Sequence, residues 1–218
     1  MNVSLISYTP AAAALCGGAA GTCYNAKSPY RALDSAMQGG HYSVLEHASF
    51  SFEISDVSRV LLAQLTRHRL ASFSVQSQRY CGANNQCVIP NTVTFGDYGR
   101  EFTAMWDAAY RLYTEMVAAG IPEEDARYII PQGSTCKLVM TMNARELRHF
   151  FALRTCNRAQ WEIRELADQM LKLCKKAEPV LFEGAGCGCV NGHCPEGRRS
   201  CGKPRKESEW EDSNVPCE

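Results

Sequence analysis

Fourteen residues, Arg67-His68-Arg69-Leu70-Ala71-Ser72-Phe73-Ser74-Val75-Gln76-Ser77-Gln78-Arg79-Tyr80, gather three arginines, a histidine, three serines and two glutamines into one short segment. Arginine keeps its charge in proteins and presents a planar fork of donors that matches phosphate or a planar base edge. Fixed cations interleaved with hydroxyls suit a multiply charged anion. Further along, Arg127, Arg145 and Arg154 add cations, and Arg145 and His149, four apart, share one face of a helix. Upstream, His41 and His47 bracket Glu46. Taken alone, such histidines are more often structural than catalytic, and the Arg145/His149 pair would pass for a surface pair.

Twelve cysteines compete for attention. Seven are scattered from Cys16 to Cys174, and most of those read as small buried hydrophobes. Five fall late, at Cys187, Cys189, Cys194, Cys201 and Cys217, with His193 among them. That set has ligands enough for a tetrahedral zinc site, but its C-x-C spacing differs from common zinc knuckles. The expectation is a reduced, cysteine-rich segment and no metal. Ser77 could suggest a nucleophile, yet no Ser/His/Asp arrangement accompanies it, so it reads as a positioning donor.

The bulk properties narrow the function. Lysine plus arginine (23) equals aspartate plus glutamate (23), so the formal net charge is zero. A nucleic-acid-binding module using the arginine-rich motif and a zinc-like segment would carry a basic excess, so the positive charge belongs to a pocket. The first residues lack the basic start of a secretory signal, and no apolar run reaches a membrane-spanning length. The expectation is a soluble cytoplasmic protein with neither nucleic-acid nor membrane partners, its thiols reduced.

Several elements must position these residues. A short apolar start suggests a strand, and Tyr30–Met37 a helix closed by Gly39 and Gly40. Phe50, Phe52 and Ile54 alternate with polar neighbours as in a strand. Asp56 is placed to cap a helix through Val57, Val60, Leu61 and Leu65, which would deliver Arg67-His68-Arg69 at its C-terminal end. Residues 81–99 read as loop. A helical stripe from Phe102 to Val117 ends at Gly120 and is core or subunit interface. Pro122 and its acidic neighbours open a further helix that Pro131 closes, Lys137–Thr141 form a strand, and one long helical pattern runs from Asn143 to about Lys176. The fold class is α+β: a single domain with a small sheet and several helices, including a long C-terminal one. The domain spans residues 1–182, followed by a flexible Cys/Gly-rich tail over 183–218.

Three blocks resemble, in order and spacing, the flavin-dependent thymidylate synthases. They are His41-Tyr42-Ser43-Val44-Leu45-Glu46-His47, then Arg67-His68-Arg69 followed after seven residues by Ser77 and Arg79, then Asn143–Phe151 with Arg154 and Ala159–Arg164. A solvated basic helix end at Arg67–Arg79 would leave the flanking blocks unexplained. The resemblance implies methylation of dUMP to dTMP, with 5,10-methylenetetrahydrofolate as carbon donor and NADPH as reductant through bound FAD, in a homotetramer whose sites are shared between subunits. It implies FAD contacts from Ser43, Arg67, His68, Arg69, Asn143, Arg145 and His149. It implies dUMP contacts from Gln64, Arg67, Gln76, Ser77, Gln78, Arg79, Arg127 and Arg154, with Arg154 activating the uracil. No cysteine nucleophile is required. Val75 stands where many relatives carry Glu or Gln, and Arg158 where some carry histidine.

Overall fold

The computed structural model describes residues 1–210 of the 218-residue chain. In order it runs β1 (Asn2–Tyr8), α1 (Ala12–Tyr24), α2 (Pro29–Gln38), a 3-10 segment (Tyr42–His47), β2 (Ser49–Ser58), α3 (Arg59–Leu65), β3 (Ala71–Val75), α4 (Asn91–Thr94), α5 (Gly99–Ala118), α6 (Glu123–Ala126), β4 (Thr135–Asn143), α7 (Ala144–Arg154), α8 (Trp161–Ala177) and α9 (Pro179–Phe182). The strands form one antiparallel sheet ordered β1-β2-β4-β3, which makes the class α+β as expected. Among the described residues no helix is long and apolar enough to cross a membrane.

The described chain divides into two compact units. The first comprises residues 1–2, 54–67 and 74–139; the second comprises, of the described residues, 3–53, 68–73 and 140–210. In the first, Ile54, Val57, Leu61, Leu65, Trp106, Ala109, Tyr113 and Leu138 are buried. The α5 stripe turns Trp106, Ala109 and Tyr113 inward while Met105 and Leu112 stay exposed. Trp106 Nε1 donates to Asn85 Oδ1 (2.9 Å), and the Tyr113 hydroxyl accepts from Ala83 N (3.0 Å), so α5 fastens the loop before it. Asp56 does not cap α3. It lies inside β2 at φ 57°, accepting from Asn2 Nδ2 (2.7 Å), and the cap is Ser58, whose Oγ accepts from Leu61 N (3.0 Å). Apolar periodicity located the helix, but two capping residues stood within reach of its start.

The second unit buries Leu45, Phe50, Phe52, Met142, Leu147, Phe150, Phe151, Ile163, Leu166, Met170 and Phe182. Phe50 and Phe151 each meet the Phe182 ring edge-on, at centroid distances of 5.2 and 6.0 Å. Burial of each such ring stabilises the fold by about 2–3 kcal/mol. Gly40 takes φ 71° after α2, a left-handed turn that glycine adopts without strain. The single long helix expected from Asn143 to Lys176 is instead two, α7 and α8. The Gln160 side chain accepts from Glu162 N and Ile163 N (both 3.1 Å) and starts α8 afresh, while Arg164 donates to the Asn157 carbonyl (2.9 Å) across the break.

Within the Cys/Gly-rich stretch after residue 182, the described residues make specific contacts. Trp210 is 2 % exposed, its Nε1 donating to Asp168 Oδ1 (2.8 Å), and Arg205 lies over its ring at 4.6 Å. Arg205 also grips both oxygens of Asp168 (2.8 and 3.0 Å) and the Thr155 carbonyl (2.8 Å). Glu207 pairs with Lys175 and accepts from Gly184 N (2.9 Å). A run of Gly, Cys and charge has no hydrophobic period, so its anchoring by one arginine and one tryptophan could not be seen in the pattern. Residues 211–218, Cys217 included, lie outside the described residues.

Candidate active site

In the second unit, α7 builds the central feature. Asn143 caps it, accepting from Glu146 N at 2.8 Å, which fixes the first turn. Glu146, Phe150 and Arg154 follow at four-residue intervals and therefore share a face. His68 lies along that face. Its Nδ1 meets Glu146 Oε1 at 3.3 Å, its ring stands edge-on to Phe150 at 5.0 Å, and its Nε2 accepts from Arg154 Nε at 3.1 Å. His149 adds a second imidazole, 6.2 Å away centroid to centroid.

The protonation state follows from the partners. A guanidinium only donates, so Nε2 must carry the lone pair and Nδ1 the proton, which it gives to Glu146. Burial lowers the His68 pKa; the Glu146 carboxylate opposes that, while the charges on Arg154 and His149 add to the lowering. His68 is thus a neutral imidazole, 5 % exposed, spanning a carboxylate and a guanidinium. Glu146 is 8 % exposed and absent from the residues picked out in the sequence. It sits at the fourth position of Asn143-x-x-Glu146, a pattern that reads as an ordinary helix-capping signal.

Other expected residues of this unit lie nearby in the chain. Arg145 pairs with Glu46 of the 3-10 segment that also carries Ser43. Ser43, Arg69, Arg145 and His149 are exposed, and Asn143 is half-buried. Arg158, at one of the divergent positions, donates to the Arg199 carbonyl.

The first unit holds a separate cluster. Arg79 forms an ion pair with the Glu124 carboxylate, and Arg127 Nε donates to the Glu124 backbone carbonyl (3.0 Å), so Glu124 contacts both arginines. Arg79 also lies over the Tyr80 ring at 5.2 Å. Ser77 Oγ accepts from Arg79 N (3.1 Å), a local turn that sets the direction of the segment, and Gln78 Nε2 donates to Ser134 Oγ (3.4 Å). Gln76 is pinned through its backbone N to the Lys137 carbonyl (2.9 Å). Arg67 is exposed just after α3, and Gln64 is half-buried on it. Val75 ends β3, a strand that sequence periodicity did not reveal, and is half-buried there. Glu124 was likewise missed, because it falls in an acidic run that suits any helix start.

The geometry supplies an arginine cluster able to take a phosphate and a guanidinium whose direction is set by a buried imidazole. Residues 4–180 match the family described as thymidylate synthase complementing protein. The flavin-dependent thymidylate synthase of Geobacter sulfurreducens is 44% identical over 219 residues, covering 93% of this chain and 94% of the relative. That of Clostridium tetani is 38% identical over 233 residues, with the same coverage of 93% and 94%. Among solved structures, the Helicobacter pylori flavin-dependent thymidylate synthase complexed with FAD and dUMP has a TM-score of 0.70 at 26% identity, covering 85% of this chain and 100% of that one. The UMP/dUMP methylase PolB of Streptomyces cacaoi, bound with 5-Br dUMP, has a TM-score of 0.75 at 26% identity, covering 84% and 93%. The chain belongs to the thymidylate synthase complementing protein family.

Proposed function

We propose that this protein methylates dUMP to dTMP, taking the carbon from 5,10-methylenetetrahydrofolate and reducing equivalents from NADPH by way of bound FAD, in the cytoplasm. The observation that carries the proposal is the Glu146–His68–Arg154 chain, a buried neutral imidazole holding Arg154 by its Nε. Family membership and the FAD and dUMP bound by a structural relative support it.

The residues present fit a flavin dinucleotide. A pyrophosphate needs several fixed cations and donors, and Arg69, Arg145, Ser43 and His149 are exposed donors of that kind. Arg67, His68 and Asn143 complete the proposed FAD set; Asn143 Oδ1 is taken by the helix cap, leaving its amide hydrogens as donors. Bound FAD supplies hydride chemistry, and the protein's part is to bind, orient and polarise.

Ser77, Arg79 and Arg127, with Arg67, hold the phosphate of dUMP, and Gln64, Gln76 and Gln78 position the nucleoside. Arg154 lies against the N3–O4 edge of the uracil, where its charge stabilises negative charge developing on the ring and makes C6 more receptive to hydride. A guanidinium with a pKa above about 12 is no base in its resting form, so its contribution is electrostatic. His68 accepts from Nε and fixes the guanidinium plane, and Glu146 holds the His68 tautomer that can do so. No thiol attacks the pyrimidine. A homotetramer sharing its sites between subunits lets one modest chain serve three ligands.

Purified protein should show a flavin absorption spectrum and form dTMP from dUMP, methylenetetrahydrofolate and NADPH. Protein that stays colourless when supplied with FAD and forms no dTMP would overturn the proposal.

A further inference from the structure

The cysteines of the C-terminal segment play no part in the proposed methylation. The structure brings four of the chain's thiols, Cys156, Cys187, Cys189 and Cys194, to the wall of one cavity of about 280 Å³, together with Arg154 and Arg158. Cys156 comes from the break between α7 and α8, the others from the segment after α9.

We propose that Cys187 and Cys189 form a reversible dithiol–disulfide site that exchanges with an anionic low-molecular-weight disulfide. Val190 N donates to the Cys187 carbonyl (2.9 Å), so the two cysteines occupy the first and third positions of a tight turn. Their Sγ atoms are 3.3 Å apart, and an S–S bond of about 2.0 Å needs a further closure of about 1 Å. Gly188 between them lets the Pro195 ring pack closely on the turn, because a Cβ there would meet Pro195 Cγ at 2.7 Å. Both are free thiols.

The two differ in access, which gives an order of events. Cys187 is 2 % exposed, and its thiol is pushed up to about 12, first by burial and then by the neighbouring Cys189 sulfur. Cys189 is half-buried and accepts a backbone hydrogen bond from Arg205 N at 3.3 Å. Cys189, as thiolate, attacks the incoming disulfide R–S–S–R, forming Cys189–S–S–R and releasing one R–S⁻. Cys187 then gives its proton to solvent and attacks the Cys189 sulfur, releasing the second R–S⁻. The two thiols lose two electrons and two protons, and the co-reactant is reduced to two R–SH. Arg154 and Arg158 place positive charge at the cavity, which favours a disulfide bearing carboxylates. A bond closing only residues 187–189 removes little chain entropy from the unfolded state, so it is a labile bond that thiols readily reduce.

A soft metal is the other occupant four thiols could take. Among the described residues, however, no group of three His, Cys, Asp or Glu side chains is disposed to hold an ion, whereas the Cys187–Cys189 contact is already made. Cys217 lies outside the described residues.

The test uses the full chain, equilibrated in buffers of oxidised and reduced glutathione, alkylated and mapped by fragmentation mass spectrometry. In the oxidised buffer the Cys187–Cys189 segment should become lighter by two hydrogens and take up no alkylating agent. Reduced glutathione should reverse both. Cys189→Ser should abolish the change, while Cys194→Ser and Cys156→Ser should leave it intact. The proposal is overturned if the segment is alkylated equally in both buffers, if the bond forms to Cys156 or Cys194 instead, or if the thiols are shielded by tightly bound zinc that only a chelator releases.

Discussion

Replacing Glu146 tests whether the imidazole is a positioning device or a bystander. The carboxylate lies 3.3 Å from His68 Nδ1, with Glu146 8 % and His68 5 % exposed, so water cannot readily replace the bond. A hydrogen bond to a charged group is worth about 1.5–3 kcal/mol, and the long distance argues for the lower end. If about 1.5 kcal/mol of orientation is lost from the transition state, kcat falls about tenfold. Glu146→Leu removes the acceptor and should show that drop. Glu146→Gln keeps an oxygen in place and should lose about threefold or less. Steady-state kinetics, flavin content and dUMP titration on the same samples make the assay, because a positioning role predicts a fall in kcat with KM for dUMP and FAD retention unchanged. Full activity in a well-folded Glu146→Leu enzyme would refute the reasoning. A loss of kcat seen only where FAD or dUMP no longer binds would refute it equally.

The pH behaviour of His68 gives a further expectation. Its pKa is lowered in the fold from the ordinary 6.5, so below that value the unfolded chain takes up a proton that the folded state refuses. This contribution to stability is complete above pH 6.5 and is lost as pH falls through the window beneath it; thermal melts from pH 7.5 to 5 should show the loss flattened in His68→Gln. Arg79→Ala should raise KM for dUMP about tenfold or more by removing a charge-assisted phosphate contact, with little change in melting temperature, because the Arg79–Glu124 pair has side chains 54% and 41% exposed. Equal KM in the variant would remove Arg79 from the phosphate site. Trp210→Ala should destabilise by about 3–5 kcal/mol, since the ring is 2 % exposed and its Nε1 holds Asp168. An unchanged melt would mean that this segment does not support the fold.

Much of the fold was legible because it rests on period and punctuation. Alternating Phe50, Phe52 and Ile54 gave β2, and Gly39-Gly40 ended α2 where expected. What failed were decisions between near-equal local signals. Asp56 and Ser58 could both start α3, and the absence of Gly or Pro between Phe151 and Trp161 hid the Gln160 cap that divides α7 from α8. Strand β3 was obscured because Arg67–Tyr80 is dominated by its charged and hydroxyl residues. In the site, Arg154, His68 and His149 were named in advance, and the structure brings those three together. Glu146 and Glu124 were not, because their partners, His68 and Arg79, lie 78 and 45 positions away in the sequence, a distance that no local pattern spans.

The central claim is that Arg154, held by His68, polarises the uracil while other arginines bind the phosphate. The most direct measurement is the single-turnover rate of dTMP formation in Arg154→Ala, with FAD and saturating dUMP confirmed bound beforehand. The account predicts that both ligands stay bound and dTMP formation falls by at least about a hundredfold, the scale of losing one preorganised electrostatic group. Turnover at the wild-type rate with both ligands in place would contradict it.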